Sequence, residues 1–206
     1  MKISIIDLEV SNLYSITNAV KHLGYDYIIS NSKKEIENSD CIILPGVGSF
    51  PYAISQLKKK NIYQTIINNV KKGKPIIGIC LGFQLLFTNG QEFKNIGGLN
   101  LIKGSVKILP KEINLPIPHV GWNNLIKSSK KSHNLFRKKD YFYFVHSYYA
   151  EPNDKEVCLS YTKYGNYKFC SSILFENIFG FQFHPEKSGI AGLNLLSNAL
   201  KNAKKI

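Results

Sequence analysis

The sequence predicts an α/β fold in which a mixed, mostly parallel sheet is flanked by helices. In the first half of the chain, short apolar segments alternate with segments of helical periodicity, which is typical of a parallel sheet covered on both faces. The second half contains mainly strand-like segments. The 206 residues are enough for one well-covered core and few for two, and they show no internal repeat or linker. We therefore expect residues 1–206 to form a single domain.

The elements of the first half follow from apolar spacing and from turn-forming residues. The apolar run Lys2–Asp7 predicts a first strand, and Asn12 is suited to cap the helix after it, which ends at Gly24. The apolar positions with helical spacing in that helix are Leu13, Ile16, Ala19, Val20 and Leu23. The further expected elements are a strand at Tyr27–Ser30, a short helix around Lys34–Asn38, a strand at Cys41–Leu44, a helical stretch over Pro51–Lys72 with a break near Asn61, a strand at Pro75–Cys80 and a helix in the LGFQLLF segment after it.

The second half is expected to add strands to the sheet and to end in a helix. Its strand-like segments are Ser105–Leu109, Tyr141–Tyr149, Val157–Thr162, Tyr167–Phe175 and Ile178–Phe183. Both alternating sets of side chains in the Tyr141–Tyr149 segment are largely apolar or aromatic, which suits a strand packed on both faces. The closing helix runs from about Ile190 to Ala203, with Leu193, Leu196 and Leu200 on one stripe.

Bulk composition favours an ordinary soluble globular protein. The hydrophobic fraction is 44% and the mean hydropathy is −0.14. No apolar stretch approaches the roughly 18 to 20 residues that a membrane helix requires. Asp7 and Glu9 interrupt the apolar N-terminus too early for a secretory signal, so we expect a cytoplasmic location.

Charge and cysteine content argue against two other kinds of site. The formal net charge is +13, but Arg137 is the only arginine, and arginine is the residue suited to bidentate recognition of phosphates and bases. The lysines are spread out, so we interpret them as solvated surface and not as a nucleic-acid interface. The four cysteines form no C-x-x-C pair and have no histidine at metal-ligand spacing. We predict neither a metal nor a cofactor.

A nucleophile is indicated where the strand ending at Cys80 meets a helix. The sequence Gly78-Ile79-Cys80-Leu81-Gly82 has the G-x-nucleophile-x-G pattern, in which a sharp turn leaves no room for a Cβ at either glycine. The turn places the sulfur at a helix N-terminus, which favours the thiolate. The backbone N–H of Leu81 is suited to donate to an oxyanion there. The alternative is a buried structural cysteine on a glycine-rich turn.

A base for this nucleophile is indicated by the segment that ends in His-Pro-Glu. An apolar strand ends at His184, and Pro185 stops it, so the imidazole lies at the carboxyl edge of the sheet, where open parallel sheets bind ligands. Glu186 is placed to accept from one ring nitrogen and to leave the other facing the sulfur. A surface turn with an ion pair is the alternative. Among the other histidines, His22 and His133 are expected at the surface, whereas His119 and His146 either line a site or pack.

A second donor for the oxyanion is indicated in the loop after Cys41–Leu44. Pro45 stops that strand, and Gly46 and Gly48 flank Val47, so the loop can turn a backbone N–H into the crevice beside Cys80. A plain turn at the end of a strand is the alternative.

The motifs together resemble those of the class I glutamine amidotransferases. The segments PGVGSF, GICLGFQLLF, PHVGWN, YFVHSYY and GFQFHPEKS occur in this order, and the resemblance runs from Ile3 to about Leu200. The elbow and the His-Pro-Glu motif are shared by the wider class. PHVGWN, YFVHSYY and HPEKS are more selective and resemble the glutaminase subunits of imidazole glycerol phosphate synthase. The resemblance implies a flavodoxin-like fold.

The resemblance also implies a mechanism. Cys80 would attack the carboxamide of glutamine to form a thioester and release ammonia, His184 would shuttle the protons, and Glu186 would orient His184. The residues implied in oxyanion and substrate binding are Gly46, Val47, Gly48, Leu81, Gln84, Ser147 and Tyr148. The loop at Pro45–Gly48 is expected to reorient before it completes the oxyanion site.

The implied partner is a (β/α)₈-barrel cyclase, which forms a heterodimer with such a subunit and receives ammonia through an internal channel. The complex would make imidazole glycerol phosphate and AICAR in histidine biosynthesis. The residues implied at the partner interface are Asn12, Trp122, Asn123, Tyr143 and Lys187. Neither nucleic acid nor membrane is an expected partner.

One segment departs from the family pattern and leaves the acceptor open. Members usually have a Tyr-Gly-x-Gly-Asn turn after the first strand, whereas residues 8–12 read Leu-Glu-Val-Ser-Asn. Without the glycines, we expect the positive φ angles of that turn to be hard to adopt. A second hypothesis therefore keeps the glutaminase and delivers its ammonia to an amidotransferase acting on a surface-glycan sugar. A non-catalytic regulatory subunit and a nucleic-acid binder are the hypotheses from other classes.

Overall fold

The computed structural model describes residues 1–9, 13–128, 135–137 and 139–205. Several sequence predictions lie outside this range, namely those on Asn12 as a helix cap and partner contact, on His133, and on the basic residues Lys130, Lys131 and Lys138.

The strands are β1 Lys2–Ile6, β2 Asp26–Ser30, β3 Cys41–Leu44, β4 Ile76–Ile79, β5 Phe87–Gly90, β6 Ile96–Gly97, β7 Ile102–Ile108, β8 His119–Asn124, β9 Ile126–Lys127, β10 Tyr141–His146, β11 Tyr148–Pro152, β12 Cys158–Tyr164, β13 Tyr167–Phe175 and β14 Ile178–Phe181. The α-helices are α1 Leu13–His22, α2 Lys33–Glu37, α3 Phe50–Lys59, α4 Tyr63–Lys71, α5 Leu81–Leu85 and α6 Gly189–Ala203, and short 3₁₀ turns lie at Lys111–Ile113, Lys155–Val157 and Pro185–Lys187.

The main sheet is mixed and mostly parallel in its first part, as the sequence predicts. Its strand order is β2-β1-β3-β4-β14-β13-β12-β9. The pairs from β2 to β14 are parallel, and those from β14 to β9 are antiparallel. The central strands β3 and β4 are buried along their whole length, because helices cover both faces of the sheet.

Each face of the sheet has its own hydrophobic core. On one face, α1 and α6 pack with apolar side chains such as Ile16 and Leu196. On the other face, α3 and α4 contribute Ala53, Leu57 and Ile66. The helices form because their apolar residues recur at helical spacing, so that one stripe of each helix faces the sheet. The predicted break near Asn61 is confirmed, since α3 ends before this residue, which has φ +56°, and α4 begins after it.

The strands of the second half are arranged in more than one sheet, which the sequence did not indicate. The predicted strand Tyr141–Tyr149 is wrong as a single element, because it breaks at Ser147 into β10 and β11. β10 pairs with β8 in a separate antiparallel ribbon, and β11 joins the sheet β11-β7-β5-β6. The helix predicted in LGFQLLF is also too long, since α5 ends at Leu85 and β5 begins at Phe87.

The turn after β1 adopts a positive φ angle without a glycine, contrary to the sequence expectation. Glu9 has φ +60°. Its backbone N–H donates to the Asp7 carboxylate at 2.8 Å, and its own carboxylate contacts Lys60 Nζ at 2.6 Å. These local contacts offset the modest steric cost of the left-handed region for a residue with a Cβ.

The described residues also bear on two other kinds of site. Within these ranges no helix combines the length and the apolar character needed to cross a bilayer. In the same part of the chain, histidine, cysteine and acidic side chains do not cluster in groups of three or more that could hold a metal ion.

Candidate active site

The residues predicted as nucleophile and base leave neighbouring parallel strands at the same edge of the sheet. β4 and β14 pair in register, with Gly78 opposite Gly180 and Ile79 opposite Phe181. The backbone N–H of Cys80 donates to the Phe181 carbonyl at 2.7 Å, so the pairing continues to the nucleophile itself. Cys80 and the segment leading to His184 therefore meet at the carboxyl ends of the strands, where ligands bind in such sheets.

The turn at Cys80 has the strained geometry that the glycine pattern predicts. Cys80 has φ +53° and ψ −109°, which is an unfavourable conformation for a residue with a Cβ. A Cβ on Gly82 would lie 1.7 Å from the Leu44 carbonyl oxygen, and one on Gly78 would lie 2.8 Å from backbone atoms of the following helix. The glycines thus allow β3, β4 and α5 to approach closely while the cysteine side chain is directed out of the turn.

The sulfur of Cys80 lies among polar groups although only 6% of the residue is exposed. It contacts the Val145 carbonyl at 3.8 Å and the Nε2 donor of Gln182 at 3.9 Å. Gln182 is fully buried and also accepts from Gln84 Nε2 at 3.1 Å. The sequence analysis did not single out Gln182. A polar residue inside the apolar strand before His-Pro-Glu was the signal available.

His184 and Glu186 form the predicted pair. Nδ1 of His184 and Oε1 of Glu186 are 2.7 Å apart, and both side chains are buried. The backbone N–H of His184 donates to the Tyr143 carbonyl at 2.9 Å, which fixes the imidazole beside the β8–β10 ribbon. The other ring nitrogen, Nε2, is buried and has no hydrogen-bond partner among the described residues.

The ionisation of His184 is set by the groups around it. Burial opposes the charged form, but the interactions with Cys80 and Glu186 outweigh it and raise the pKa of His184 to about 10. The imidazole of His184 is therefore protonated at neutral pH.

A cavity of about 180 Å³ opens at Cys80. Its lining includes the predicted oxyanion and substrate residues except Gly46, together with some that were not predicted: Val47, Gly48, Cys80, Leu81, Gln84, Glu92, Val145, His146, Ser147 and Tyr148. Gln84 is held there by a hydrogen bond from its Nε2 to the Tyr148 carbonyl at 2.8 Å. The structure thus brings Gln84 of α5 together with Ser147 and Tyr148, at the start of β11, around the nucleophile.

Glu92 is a cavity residue that the sequence analysis missed. Its carboxylate accepts from the Phe50 backbone N–H at 2.6 Å at the start of α3, and it lines the cavity with Cys80. It follows β5, a strand that was not predicted and whose first residue, Phe87, was assigned to the preceding helix, and no motif pointed to it. A carboxylate in this position gives the cavity affinity for a cationic group.

The loop predicted to complete an oxyanion site is not arranged to do so in this structure. The Leu81 N–H donates to the Gly46 carbonyl at 3.3 Å and is therefore already engaged. Val47 is 36% exposed, and Gly48 has φ +95°, a conformation available to glycine. The carbonyl of Gly46 thus lies where the oxyanion donor would act.

Of the predicted partner residues in the described chain, Trp122 and Tyr143 lie on the outward face of the β8–β10 ribbon, whereas the side chain of Asn123 lies on the opposite face, where its Nδ2 donates to the Lys163 carbonyl at 3.0 Å. Trp122 and Tyr143 are opposite each other in the ribbon, with ring centroids 6.1 Å apart. Trp122 is 56% exposed, and Val120 and Tyr141 on the same face are exposed to a similar extent. Lys187, in the turn after His184, shares a small crevice with Gly46 and Glu186. An exposed aromatic and apolar surface of this kind is typical of a protein interface.

Comparison with known proteins identifies the family that the chain resembles. The glutamine amidotransferase class-I family model matches residues 4–203. The imidazole glycerol phosphate synthase subunit HisH of Caldanaerobacter subterraneus subsp. tengcongensis is 46% identical over 197 residues, which cover 95% of this chain and 96% of that protein. The HisH subunit of Aquifex aeolicus is 41% identical and covers 100% of this chain and 99% of its own length. The HisH subunit of Pyrococcus furiosus is 45% identical over 198 residues, which cover 96% of this chain and 97% of that protein.

Solved structures show the same fold at lower identity. PurLQS from Thermotoga maritima superposes with a TM-score of 0.74 at 20% identity, and a crystal structure of a glutamine amidotransferase does so with 0.78 at 16%, each over 98% of both chains. The family match and the full-length similarity lead to one conclusion: the chain belongs to the class-I glutamine amidotransferase family of enzymes and, within it, to the HisH subunits of imidazole glycerol phosphate synthase.

Proposed function

We propose that this chain hydrolyses glutamine with the triad Cys80, His184 and Glu186 and delivers the ammonia to a cyclase subunit. The observation that carries the proposal is the strained turn at Cys80, which directs a sulfur into a cavity beside a histidine already paired with a buried glutamate. A structural cysteine needs neither the strain nor the charged neighbour. A non-catalytic subunit would not require the strained cysteine and the charged neighbour in the same place.

In the first half-reaction, Cys80 acts as a thiolate and His184 as an imidazolium. The Cys80 thiolate attacks the carboxamide carbon of glutamine, and the His184 imidazolium gives its proton to the departing nitrogen, so the C–N bond breaks and ammonia leaves. A thioester remains on Cys80. In the second half-reaction, His184 takes a proton from water, the water oxygen attacks the thioester, and glutamate leaves as the thiolate re-forms. Glu186 holds the Nδ1 side of the ring so that Nε2 faces the sulfur.

Substrate binding follows from the charges and donors of the cavity. The α-ammonium of glutamine is matched by the Glu92 carboxylate, and the polar groups of Gln84, Ser147 and Tyr148 are placed for the rest of the amino acid. Gln182 donates towards the sulfur and holds Gln84 in position. These contacts favour a small zwitterionic amide over a nucleotide or peptide.

The oxyanion site forms when the loop at Gly46–Gly48 turns over. Rotation of the peptide between Gly46 and Val47 removes the Gly46 carbonyl from the Leu81 N–H and presents the Val47 N–H in its place. Gly46 and Gly48 give the loop the backbone freedom for this change. The resting enzyme is therefore expected to turn over glutamine slowly until a partner or ligand stabilises the rotated loop.

The partner we propose is the (β/α)₈-barrel cyclase of imidazole glycerol phosphate synthase, docked on the exposed ribbon face with Trp122 and Tyr143 and contacting Lys187 beside it. Asn12 and Asn123 are further contacts that the family resemblance implies. Tyr143 also accepts the backbone hydrogen bond of His184, so the proposed interface adjoins the site where ammonia is released. The names of the relatives favour this histidine-pathway acceptor over the glycan sugar that the sequence also left open. The reaction of the complex would yield imidazole glycerol phosphate and AICAR.

The test is glutamate release from glutamine by the chain bound to the cyclase of the same organism, with the cyclase ligand present. Cys80→Ala should reduce the rate by about 10⁴-fold or to background, because the nucleophile is lost. Glu186→Gln should cost about 10²-fold or more, because the tautomer and charge of His184 change. Val47→Pro, which removes the backbone donor, should cost about 10²–10³-fold in kcat.

Matched controls separate these roles from general damage. Cys41→Ala removes a thiol buried in β3, where burial raises the pKa to about 12, and should leave the rate near that of the unaltered protein. Val47→Ala keeps the backbone N–H and should also leave the rate near that of the unaltered protein. Glutamate release that survives Cys80→Ala would exclude the mechanism, and an unaffected Val47→Pro would exclude the oxyanion role of Val47.

A further inference from the structure

Two buried histidines lie directly opposite each other in the β8–β10 ribbon. His119 and His146 form the last cross-strand pair of the ribbon, and Nδ1 of His119 is 3.1 Å from Nε2 of His146. The residues are 3% and 6% exposed. The ring of His119 stacks between Phe144 and Tyr164, with centroid distances of 4.9 and 4.1 Å. The mechanism proposed above uses neither histidine.

The hydrogen bonds around the pair fix where the protons are. Nδ1 of His146 is 2.8 Å from the Tyr148 carbonyl, which only accepts, so this nitrogen carries a proton. Burial and the nearby His119 and His184 lower the pKa of His146 to about 3, so its Nε2 is unprotonated and accepts. The donor to it is therefore Nδ1–H of His119, whose own pKa burial lowers to about 4. Nε2 of His119 in turn accepts from Asn123 Nδ2 at 3.5 Å.

The three hydrogen bonds thus share one donor-to-acceptor direction, from Asn123 in β8 to the Tyr148 carbonyl at the cavity. Asn123 donates to His119, His119 donates to His146, and His146 donates to the carbonyl of Tyr148. That carbonyl also accepts from Gln84 at 2.8 Å. The Ser147 carbonyl accepts from the Leu109 N–H at 2.8 Å and Tyr148 pairs with Ile108 of β7, so the Tyr148 carbonyl is the group of this segment that the two side chains hold.

We infer that His146 is a positioning residue that holds the Ser147–Tyr148 backbone in the geometry that binds glutamine, and that His119 holds His146 in the required tautomer. The inference rests on the glutaminase function proposed above, since it assigns the cavity wall to that substrate. The Nδ1–H of His146 and the amide of Gln84 converge on one carbonyl from two sides, which fixes the orientation of the Tyr148 peptide. Replacement of either donor leaves the carbonyl with one hydrogen bond fewer, so its position in the cavity wall is less tightly fixed.

The kinetic test uses the complex with the cyclase and measures KM for glutamine and kcat separately. His146→Phe keeps an aromatic ring but removes the donor, and it should raise KM by about tenfold while kcat changes less than threefold, the size expected for one buried hydrogen bond. His146→Asn can donate to the same carbonyl through its amide and should restore most of the affinity. His119→Phe should raise KM less than His146→Phe does. Tyr164→Phe keeps the ring that stacks on His119 and should leave KM unchanged.

Unchanged KM in folded His146→Phe would overturn the inference, as would equal losses in His146→Asn and His146→Phe. An unaltered complex without Cys80-dependent glutaminase activity would overturn the proposed function instead, so the two failures are distinguishable.

A second readout uses the unaltered protein and needs no enzyme assay. Nitrogen-15 chemical shifts of both imidazoles at pH 6 should report neutral rings that carry the proton on Nδ1. An Nε2–H tautomer or an imidazolium at either position would overturn the inference, whatever the kinetics of the variants.

Discussion

At the scale of single residues, the site depends on backbone conformations that few residue types allow. Cys80 is held at φ +53° because the glycines on either side let three elements meet where any side chain would collide. Such strain costs about 1–3 kcal/mol and persists only where the surrounding packing imposes it. Glu9 shows the opposite case, in which hydrogen-bonding and ionic contacts make a positive φ angle acceptable without glycine.

Gly82→Ala should destabilise the protein strongly, by about 3 kcal/mol or more, because its Cβ would lie 1.7 Å from the backbone oxygen of Leu44 and neither strand nor helix can move away easily. Gly97→Ala is the matched control. It adds a Cβ to a strand residue with nothing within 4 Å and should change stability by less than about 0.5 kcal/mol. Urea unfolding of the two variants measures the difference, and equal stabilities would contradict the steric explanation of the elbow.

At the scale of elements, the β8–β10 ribbon has two faces with different chemistry. Its inward face carries Phe142, Phe144 and the histidine pair, and its outward face carries Trp122 and Tyr143. The alternation of strand side chains produces both faces from one short segment. The ribbon thereby adjoins the glutamine cavity on one side and solvent on the other.

The inward histidines predict an acid sensitivity. The pKa values of His119 and His146 are about 4 and about 3 when folded, below the ordinary value of about 6.5, so the unfolded chain binds protons that the folded chain does not as the pH falls below 6.5. The contribution of the two neutral histidines to the free energy of unfolding is therefore fully present above about pH 6.5. It decreases towards pH 4, by up to about 1.4 kcal/mol per pH unit for each histidine. His184, with its pKa raised to about 10, remains protonated throughout this range and adds no loss.

Urea unfolding at pH 7 and pH 5 checks this expectation. The unaltered protein should lose more stability over this interval than the double variant His119→Phe, His146→Phe, in which neither ring can be protonated. Identical losses would show that the two histidines are not held neutral by the fold.

At the scale of the whole molecule, the proposed partner face lies next to the proposed triad. The turn Pro185–Lys187 connects the catalytic base to the edge of the ribbon, and His184 is bridged to Tyr143 in β10. Exposed aromatic side chains at the centre of an interface commonly carry much of its binding energy. Docking at this surface would therefore act close to the loop that completes the oxyanion site.

Trp122→Ala should weaken binding of the cyclase by about 2 kcal/mol, or roughly 30-fold, if Trp122 fills a pocket on the partner. Ile29→Ala is the control, because Ile29 is an exposed apolar residue on the edge strand β2. Isothermal titration calorimetry with the purified cyclase measures both affinities. An affinity unchanged by Trp122→Ala would place the interface elsewhere.

The sequence by itself determined the main sheet, the elbow and the His184–Glu186 pair. Each of these depends on local chemistry: apolar periodicity, the positions of glycine and proline, and spacings of a few residues. The same reasoning assigned one strand to Tyr141–Tyr149 and helix to Phe87, because an apolar alternation does not say which sheet a strand joins or where it leaves that sheet.

Only the tertiary structure decided which distant side chains share the cavity. Glu92 belongs to no motif, and Gln182, His119 and His146 lie in motifs that did not indicate their contacts; strand pairing brings these segments, far apart in the chain, together. It also decided that the Gly46 carbonyl engages the Leu81 N–H. The physical reason is that short-range preferences fix the conformation of a segment, whereas its neighbours are chosen by the packing of the whole fold.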